Sequence, residues 1–279
     1  MNFKIGFLIK PNEILENNEI TFISSSGVKP ATYTESDCLA YGFIYNDSKC
    51  WSVQNSTSFL PPDNQNILQA GANNIIGVQS SDCSIIGINN ELRFNDKNSL
   101  IVGDRNIIND DVNNTIVSGT KADANYINSQ VLGANQIDDI LGERQTTLLI
   151  AGADTTNSAN TVSYINDDGA TLFNVKDNTI ISFSASITGV RVGGTGAGNN
   201  GDFKSWIERG TAVVRGSTGT IKRTRQNIVT DGTTTGWNTT ADLDADNNLR
   251  IKVKGANNYN IKWIIRIEIS ELRPGIDLS

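Results

Sequence analysis

The stretch NSLIVGDRNIINDDVNNTIVSGTKADANYINSQVLG (Asn98 to Gly133) states one short pattern three times. Each unit opens on Asn followed by Ser or Thr, runs through apolar residues and ends on Gly: NSLIVG (Asn98 to Gly103), NTIVSG (Asn114 to Gly119) and NSQVLG (Asn128 to Gly133). Looser copies flank them: NNIIG (Asn73 to Gly77), CSIIG (Cys83 to Gly87) and TLLIAG (Thr147 to Gly152). Successive glycines are 10, 16, 16, 14 and 19 residues apart. A shorter apolar element follows the glycine, as at Ile107-Ile108, Ala124 and Ile137. One unit of strand, turn, short strand, turn cannot bury its own apolar face, so it must stack on the next. That is a coil of a β-solenoid. The opening Asn or Thr is expected to stack as a polar ladder, and the glycine to supply the φ > 0 corner.

Composition agrees. The chain has 279 residues with 35 Asn, 25 Gly and no His, and a formal net charge of −7. Asn competes with helical hydrogen bonding and tolerates left-handed turns, so short strands and many turns are predicted. Without His there is no Ser-His-Asp or Cys-His nucleophile and no His-containing zinc site. Carboxylates, Lys, Tyr or Cys would have to carry any reaction, and the expectation is that this chain is not an enzyme and needs no cofactor. The short apolar run Ile5 to Ile9 lacks the length of a signal h-region, and no window reaches the length of a membrane span. Three cysteines (Cys38, Cys50, Cys83) are an odd count, which argues against a fully paired secreted framework. Cys38 and Cys50 flank an aromatic stretch, and both a disulfide and two reduced thiols in a hairpin remain open.

Four segments follow from the patterning. Residues 1–70 read as an attachment segment with a strand from Ile20 to Pro30, a hairpin across Asn46-Asp47 and a boundary at Pro61-Pro62. Residues 71–155 are the repeats and 156–175 a transition. Residues 176–279 carry longer alternating strands, and here Ile261, Trp263, Ile265, Ile267 and Ile269 share one face at period two, with Ile264 the exception opposite them. Charge divides with the pattern, −11 over residues 1–170 and +4 over 171–279. The C-terminal part is predicted to be an antiparallel β-sandwich of jelly-roll type.

Two resemblances attach to these residues. The N-[ST]-h-h-h-G unit resembles the head repeat of trimeric autotransporter adhesins, which implies a left-handed parallel β-roll with three chains around one axis. The frame Asp244, Asn247, Leu249, Ile251, Val253, Gly255 and Trp263 resembles the tip domains that end bacteriophage tail fibres, especially of phages infecting Bacteroidetes. Together they imply an all-β, intertwined homotrimeric virion fibre of tail or head. Residues 1–70 would dock to other virion proteins, and the tip would meet host-surface glycan or protein. A bacterial trimeric surface adhesin and a glycan-depolymerising tailspike are the competing readings. Neither nucleic-acid binding nor membrane insertion is expected.

Candidate site residues are few. Trp237, in the loop-like TTTGWNTT, could stack on a sugar or anchor the core. Arg215, Arg223 and Arg225, with Arg209 and Lys222, form a basic cluster that could attract anionic glycan or simply line a solvated strand face. Asp242, Asp244 and Asp246 imitate the start of a calcium loop, but Val253 stands where a bidentate Glu is needed, so the expectation is a polar turn and no metal. The run GVRVGGTGAGNNGDF lacks the Lys-Ser/Thr of a phosphate loop and reads as a loop between strands. Asp110-Asp111, Asp138-Asp139 and Asp167-Asp168 read as turns rather than acid–base pairs.

Overall fold

A computed structural model of the chain describes residues 9–15, 19–24, 30–41, 43–46, 48–51, 66–77, 79–135, 139–275 and 278. Ile5 to Leu8, Asp47, Pro61-Pro62 and Ile137, which the sequence reading singled out, lie outside the described residues.

The N-terminal part is a small module. Strand β1 (Ile9–Ile14) pairs antiparallel with β2 (Ile20–Ser24), which is the start of the strand read up to Pro30; residues 25–29 of that reading lie outside the described residues. Helix α1 (Glu35–Ala40) starts at Thr34, whose hydroxyl accepts from the Asp37 N–H while the Asp37 carboxylate accepts from the Thr34 N–H. This reciprocal cap satisfies two end donors of a helix only six residues long. Strands β3 (Ile44–Asn46) and β4 (Lys49–Trp51) form the hairpin. Cys38 and Cys50 are joined in a disulfide and packed with Ile20 and Phe22.

The repeats build a solenoid of alternating long and short strands: β5 (Leu68–Ala72), β6 (Ile75–Ile76), β7 (Ser84–Ile88), β8 (Glu91–Leu92), β9 (Leu100–Asp104), β10 (Ile107–Ile108), β11 (Ile116–Thr120), β12 (Asp123–Ala124) and β13 (Gln130–Ala134). Long strands pair in parallel with Gly71, Gly87, Gly103, Gly119 and Gly133 in register, and short strands form a second parallel sheet. The first unit is therefore phased on Gly71, whereas Gly77 follows the short strand β6. A Cβ at Gly87 would lie 1.9 Å from the Gly103 carbonyl oxygen of the next coil, so contact between coils, as well as φ, demands glycine. The corners belong to Asn and its substitutes. Asn66, Asp82, Asn98, Asn114 and Asn128 occupy one; Asn73, Asn89, Arg105 and Lys121 the next; Gln79, Asn95 and Asp111 the third, all with φ between 54° and 63°.

Inside the coils, Ile85, Ile101, Val117 and Val131 from the long strands meet Leu92, Ile108 and Ala124 from the short ones. Beside this apolar column stands a buried amide ladder. Asn74 Oδ1 accepts from the Asn90 N–H and Nδ2; Asn90 Oδ1 accepts likewise from Asn106, and Asn106 Oδ1 from the Ala122 N–H. Each Nδ2 also donates to the carbonyl of Gly87, Gly103 or Gly119. The unit-opening asparagines form a separate exposed rung, Asn98 Nδ2 to Asn114 Oδ1 at 3.1 Å.

The remainder is β14 (Arg144–Thr155), β15 (Asn160–Ile165), β16 (Phe173–Asn174), β17 (Thr179–Gly193), β18 (Phe203–Arg215), β19 (Thr218–Asp231), β20 (Asn238–Leu243), β21 (Asn248–Lys254) and β22 (Asn260–Leu272). TLLIAG, read as the last repeat, lies in β14, which runs antiparallel to β13 and pairs with β22 over Arg144 to Thr155. The main sheet thus passes from solenoid into tip without a break, in the order β5-β7-β9-β11-β13-β14-β22-β17-β18-β19. Strands β15, β16 and β20 gather around β21 as the second layer. Consecutive β17, β18 and β19 are neighbours in one sheet, a meander flanked by β22, whereas a jelly roll exchanges successive strands between sheets. Between the layers Trp206, Trp237 and Trp263 cluster with ring centroids 5.9 and 5.8 Å from that of Trp263. The predicted face Ile261 to Ile269 of β22 is buried there, and Ile264 is exposed on the other side.

Gln145 closes the end of the short-strand sheet. Its Oε1 accepts from the Asp123 N–H at 2.9 Å and its Nε2 donates to the Asp123 carbonyl at 3.2 Å, as a neighbouring strand's peptide would. The same Nε2 donates to the Glu271 carboxylate, and Arg273 bridges Glu271 and Asp123.

Candidate functional site

The sheet shared by solenoid and tip has one packed side and one bare side, and the bare side is the largest candidate surface. Register places its outward residues in rows. One row runs Leu68, Ser84, Leu100, Ile116, Gln130, Leu148, Glu268, Ser184, Arg209, Thr224. In the solenoid half the surface is apolar: Leu68, Ile86, Val102, Ile116 and Leu132 are all exposed, Leu132 by 56%. A groove of about 310 Å³ lies at its end between Ile116, Leu132, Leu148 and Arg266.

In the tip half the same rows turn polar. Strand β17 alternates buried Ile181, Phe183, Ala185 and Ile187 with outward Ser182, Ser184, Ser186 and Thr188. Ser184 stands between Glu268 and Arg209, and Ser182 between Ser270 and Thr211. Beyond them Arg209 faces Thr224 and Thr211 faces Lys222. Short side chains between longer ones leave an open groove of about 460 Å³. The sequence reading named Arg209 and Lys222 but missed Ser182, Ser184, Ser270 and Glu268. The signal available was the period-two serines of IISFSASIT, which mark an outward face but not what flanks it.

The other sequence candidates do not converge. Trp237, proposed as a sugar platform, is 3% exposed and packs edge-on to Tyr259 and against Trp263, so its ring offers no open face. Its polar neighbours in TTTGWNTT concealed a partnership made across the layers. Arg223 pairs with the buried Glu208 and donates to Thr240, while Arg225 donates to Asn238 and the Thr239 carbonyl. These two arginines lace the edge strand β19 onto β20. Arg215 is exposed at the far end of β18.

Asp242 is bound by Arg250 and Lys252; burial pushes its carboxyl up, but these hydrogen bonds outweigh burial and hold it below the usual range. Asp244 is lowered in the same balance, by the Asn248 and Asp246 N–H groups and the Asn248 amide. The carbonyl of Asp246 accepts from Asn174. The Asp242 and Asp244 carboxylates are thus spent on a strand pair and a turn.

The glycine run is organised by Arg191, whose guanidinium donates to the carbonyls of Gly193, Gly194, Gly196 and Ala197 and lies over the Tyr259 ring. Of the acidic dipeptides, Asp110 accepts from the Phe94 N–H, Asp168 from the Ala170 and Thr171 N–H groups, and Asp139 pairs with Lys121 and Arg105, which lower its carboxyl. Asp96 is the outlier. It is fully buried between coils, with Oδ1 accepting from the Val112 N–H at 2.8 Å and Oδ2 without a hydrogen-bond partner among the described residues. Burial pushes its carboxyl up to about 8.

No family model and no curated protein matches the chain. Among solved structures it is similar to the tailspike protein of Acinetobacter baumannii bacteriophage Fri1, a capsular polysaccharide depolymerase, at 9% identity, over 81% of this chain and 50% of that one, with a TM-score of 0.29. It is similar also to the tailspike of Acinetobacter baumannii phage AM24 (8% identity, 75% and 49% covered, TM-score 0.27) and that of Acinetobacter phage vB_ApiP_P1 (9%, 73% and 47%, 0.21). The chain spans about half the length of these structures. The expectation that it is not an enzyme is corrected here: a depolymerase stands among its structural neighbours, and the absence of His leaves carboxylate acid–base chemistry untouched.

Proposed function

We propose that the chain is part of a bacteriophage fibre or spike, a tailspike in the first instance, that assembles as a homotrimer and meets host-surface glycan with its tip. The observation that carries this reading is the bare apolar half of the shared sheet. Leu68, Ile86, Val102, Ile116 and Leu132 form a band along the solenoid, and a contiguous apolar surface of this kind marks a face that another molecule covers. A repeat that places the same patch on every coil is suited to side-by-side packing of identical chains. The N-terminal module, with its own disulfide and core, then serves as the attachment segment to the virion. Among the described residues no helix is long and apolar enough to cross a membrane.

Light scattering tests the assembly: a mass three times 30.2 kDa is expected, and a monomer overturns the reading. Incubation with host capsular glycan then separates the two modes of contact. Release of new reducing ends makes the protein a depolymerase, and retention on intact glycan makes it an adhesive fibre.

A further inference from the structure

We infer that the open trough along β17 is a binding site for a carboxylated oligosaccharide, an inference that rests on the glycan-contacting reading above. The trough has a cause in the register. A central strand showing only Ser182, Ser184, Ser186 and Thr188 outward is flanked by Glu268 and Arg266 of β22 on one side and by Arg209 and Thr211 of β18 on the other. From Ser182 to Thr188 the floor runs about 20 Å at the strand rise, and two interstrand spacings make it about 10 Å wide. Those dimensions suit one extended chain of sugar rings lying along the strand.

The chemistry of the lining narrows the ligand. Each floor hydroxyl both donates and accepts, as sugar hydroxyls do. The walls carry Arg209 and Lys222 beside an Arg266–Glu268 ion pair of 3.7 Å, a positive excess on a chain whose net charge is −7. Arg223 also borders the trough but is held by Glu208. A guanidinium recognises a carboxylate through two parallel hydrogen bonds, so Arg209 would take the acidic group while Glu268 accepts from sugar hydroxyls. Bases would find no aromatic side chain to stack on, since Phe183 is buried beneath the sheet. A second copy of this chain would be expected on the apolar half, where Ile, Leu and Val face outward.

The test titrates the full chain with oligogalacturonate, hyaluronan and polysialate fragments, and with a dextran oligomer of matched length, at two salt concentrations. At least one carboxylated fragment is expected to bind about tenfold or more tighter than dextran, and more weakly at high salt. Arg209→Ala, and Ser184→Trp, which fills the trough, should each weaken that binding about tenfold while mass and Tm stay those of the parent. Exposed Lys176→Ala, away from the trough, should leave it unchanged. The inference is overturned if no carboxylated fragment binds, if dextran binds equally, or if both trough variants bind as the parent does. A trimer that holds host glycan undiminished in both variants overturns the trough alone; a monomer that binds no glycan overturns the reading beneath it.

Discussion

Each coil of the solenoid puts one Ile or Val from its long strand and one Leu, Ile or Ala from its short strand into the interior, joined there by Cys83, Val112 and Ala122 and by buried side-chain amides and hydroxyls. The tip, joined to it through the same sheet, buries three Trp, two Phe and a run of Ile between two layers. The described solenoid core holds no aromatic ring, and its register is fixed by directional bonds and by glycines that let coils touch. Apolar volume and its fit do that work in the tip. One continuous sheet can therefore change its means of support between adjacent strands, provided the backbone ladder is unbroken.

The sharpest way to break the contrast is Gly103→Val. Its Cβ would meet the Gly119 carbonyl at 1.9 Å with φ at +133°, so the coils cannot close, and a loss above about 4 kcal/mol, seen as a missing folded baseline in urea, is expected. Gly169→Ala in the tip also has positive φ, at +76°, but meets nothing within 4 Å, and should cost only about 1 kcal/mol. Next comes Trp263→Ala, which empties the centre of the Trp cluster and frees Thr155 from the indole N–H; about 3–5 kcal/mol should be lost in chemical denaturation. Asn106→Ala strands the Ala122 N–H and the Gly119 carbonyl inside the coil, at about 2–3 kcal/mol. Asn98→Ala, on the exposed ladder, should cost far less, and equal effects would erase the distinction between the ladders.

A last variant tests the polar interior by pH. The Asp96 carboxyl is pushed from its usual 3.8 to about 8, so the fold favours its neutral form. Stability from this residue is complete below pH 3.8, drains as pH rises towards 8 and is flat beyond. Asp96→Asn keeps an acceptor for the Val112 N–H and removes the slope, so the variant should be clearly more stable than the parent at pH 8 and little different from it at pH 4. Urea melts at several pH values read it directly.

The repeat was legible because two demands, a left-handed corner and a coil-to-coil contact, recur at a fixed spacing and admit few residue types. Its phase was less so. Gly77 and Gly71 each follow an apolar pair or strand, and only pairing with Gly87 selects the latter. Likewise two sets of asparagines share the same period. Asn98 and Asn114 looked like the ladder, but their φ places them at corners, and Asn74, Asn90 and Asn106 carry the buried one. TLLIAG misled because an antiparallel strand and a parallel one have the same apolar signature. In the tip, Ile261 to Ile269 declared its buried face by alternation alone, whereas the burial of Trp237 and the engagement of Arg223 and Arg225 depend on strands distant in sequence. The trough escaped for the same reason, being a property of three neighbouring strands.

The Gln145 side chain has a role in setting length. A stack of coils is a growing polymer whose every end is a template, and nothing in the repeat itself says when to stop. By presenting one amide to the last short strand from within the same chain, Gln145 acts as a terminator at that end: it occupies the Asp123 N–H and carbonyl to which another molecule's strand would add.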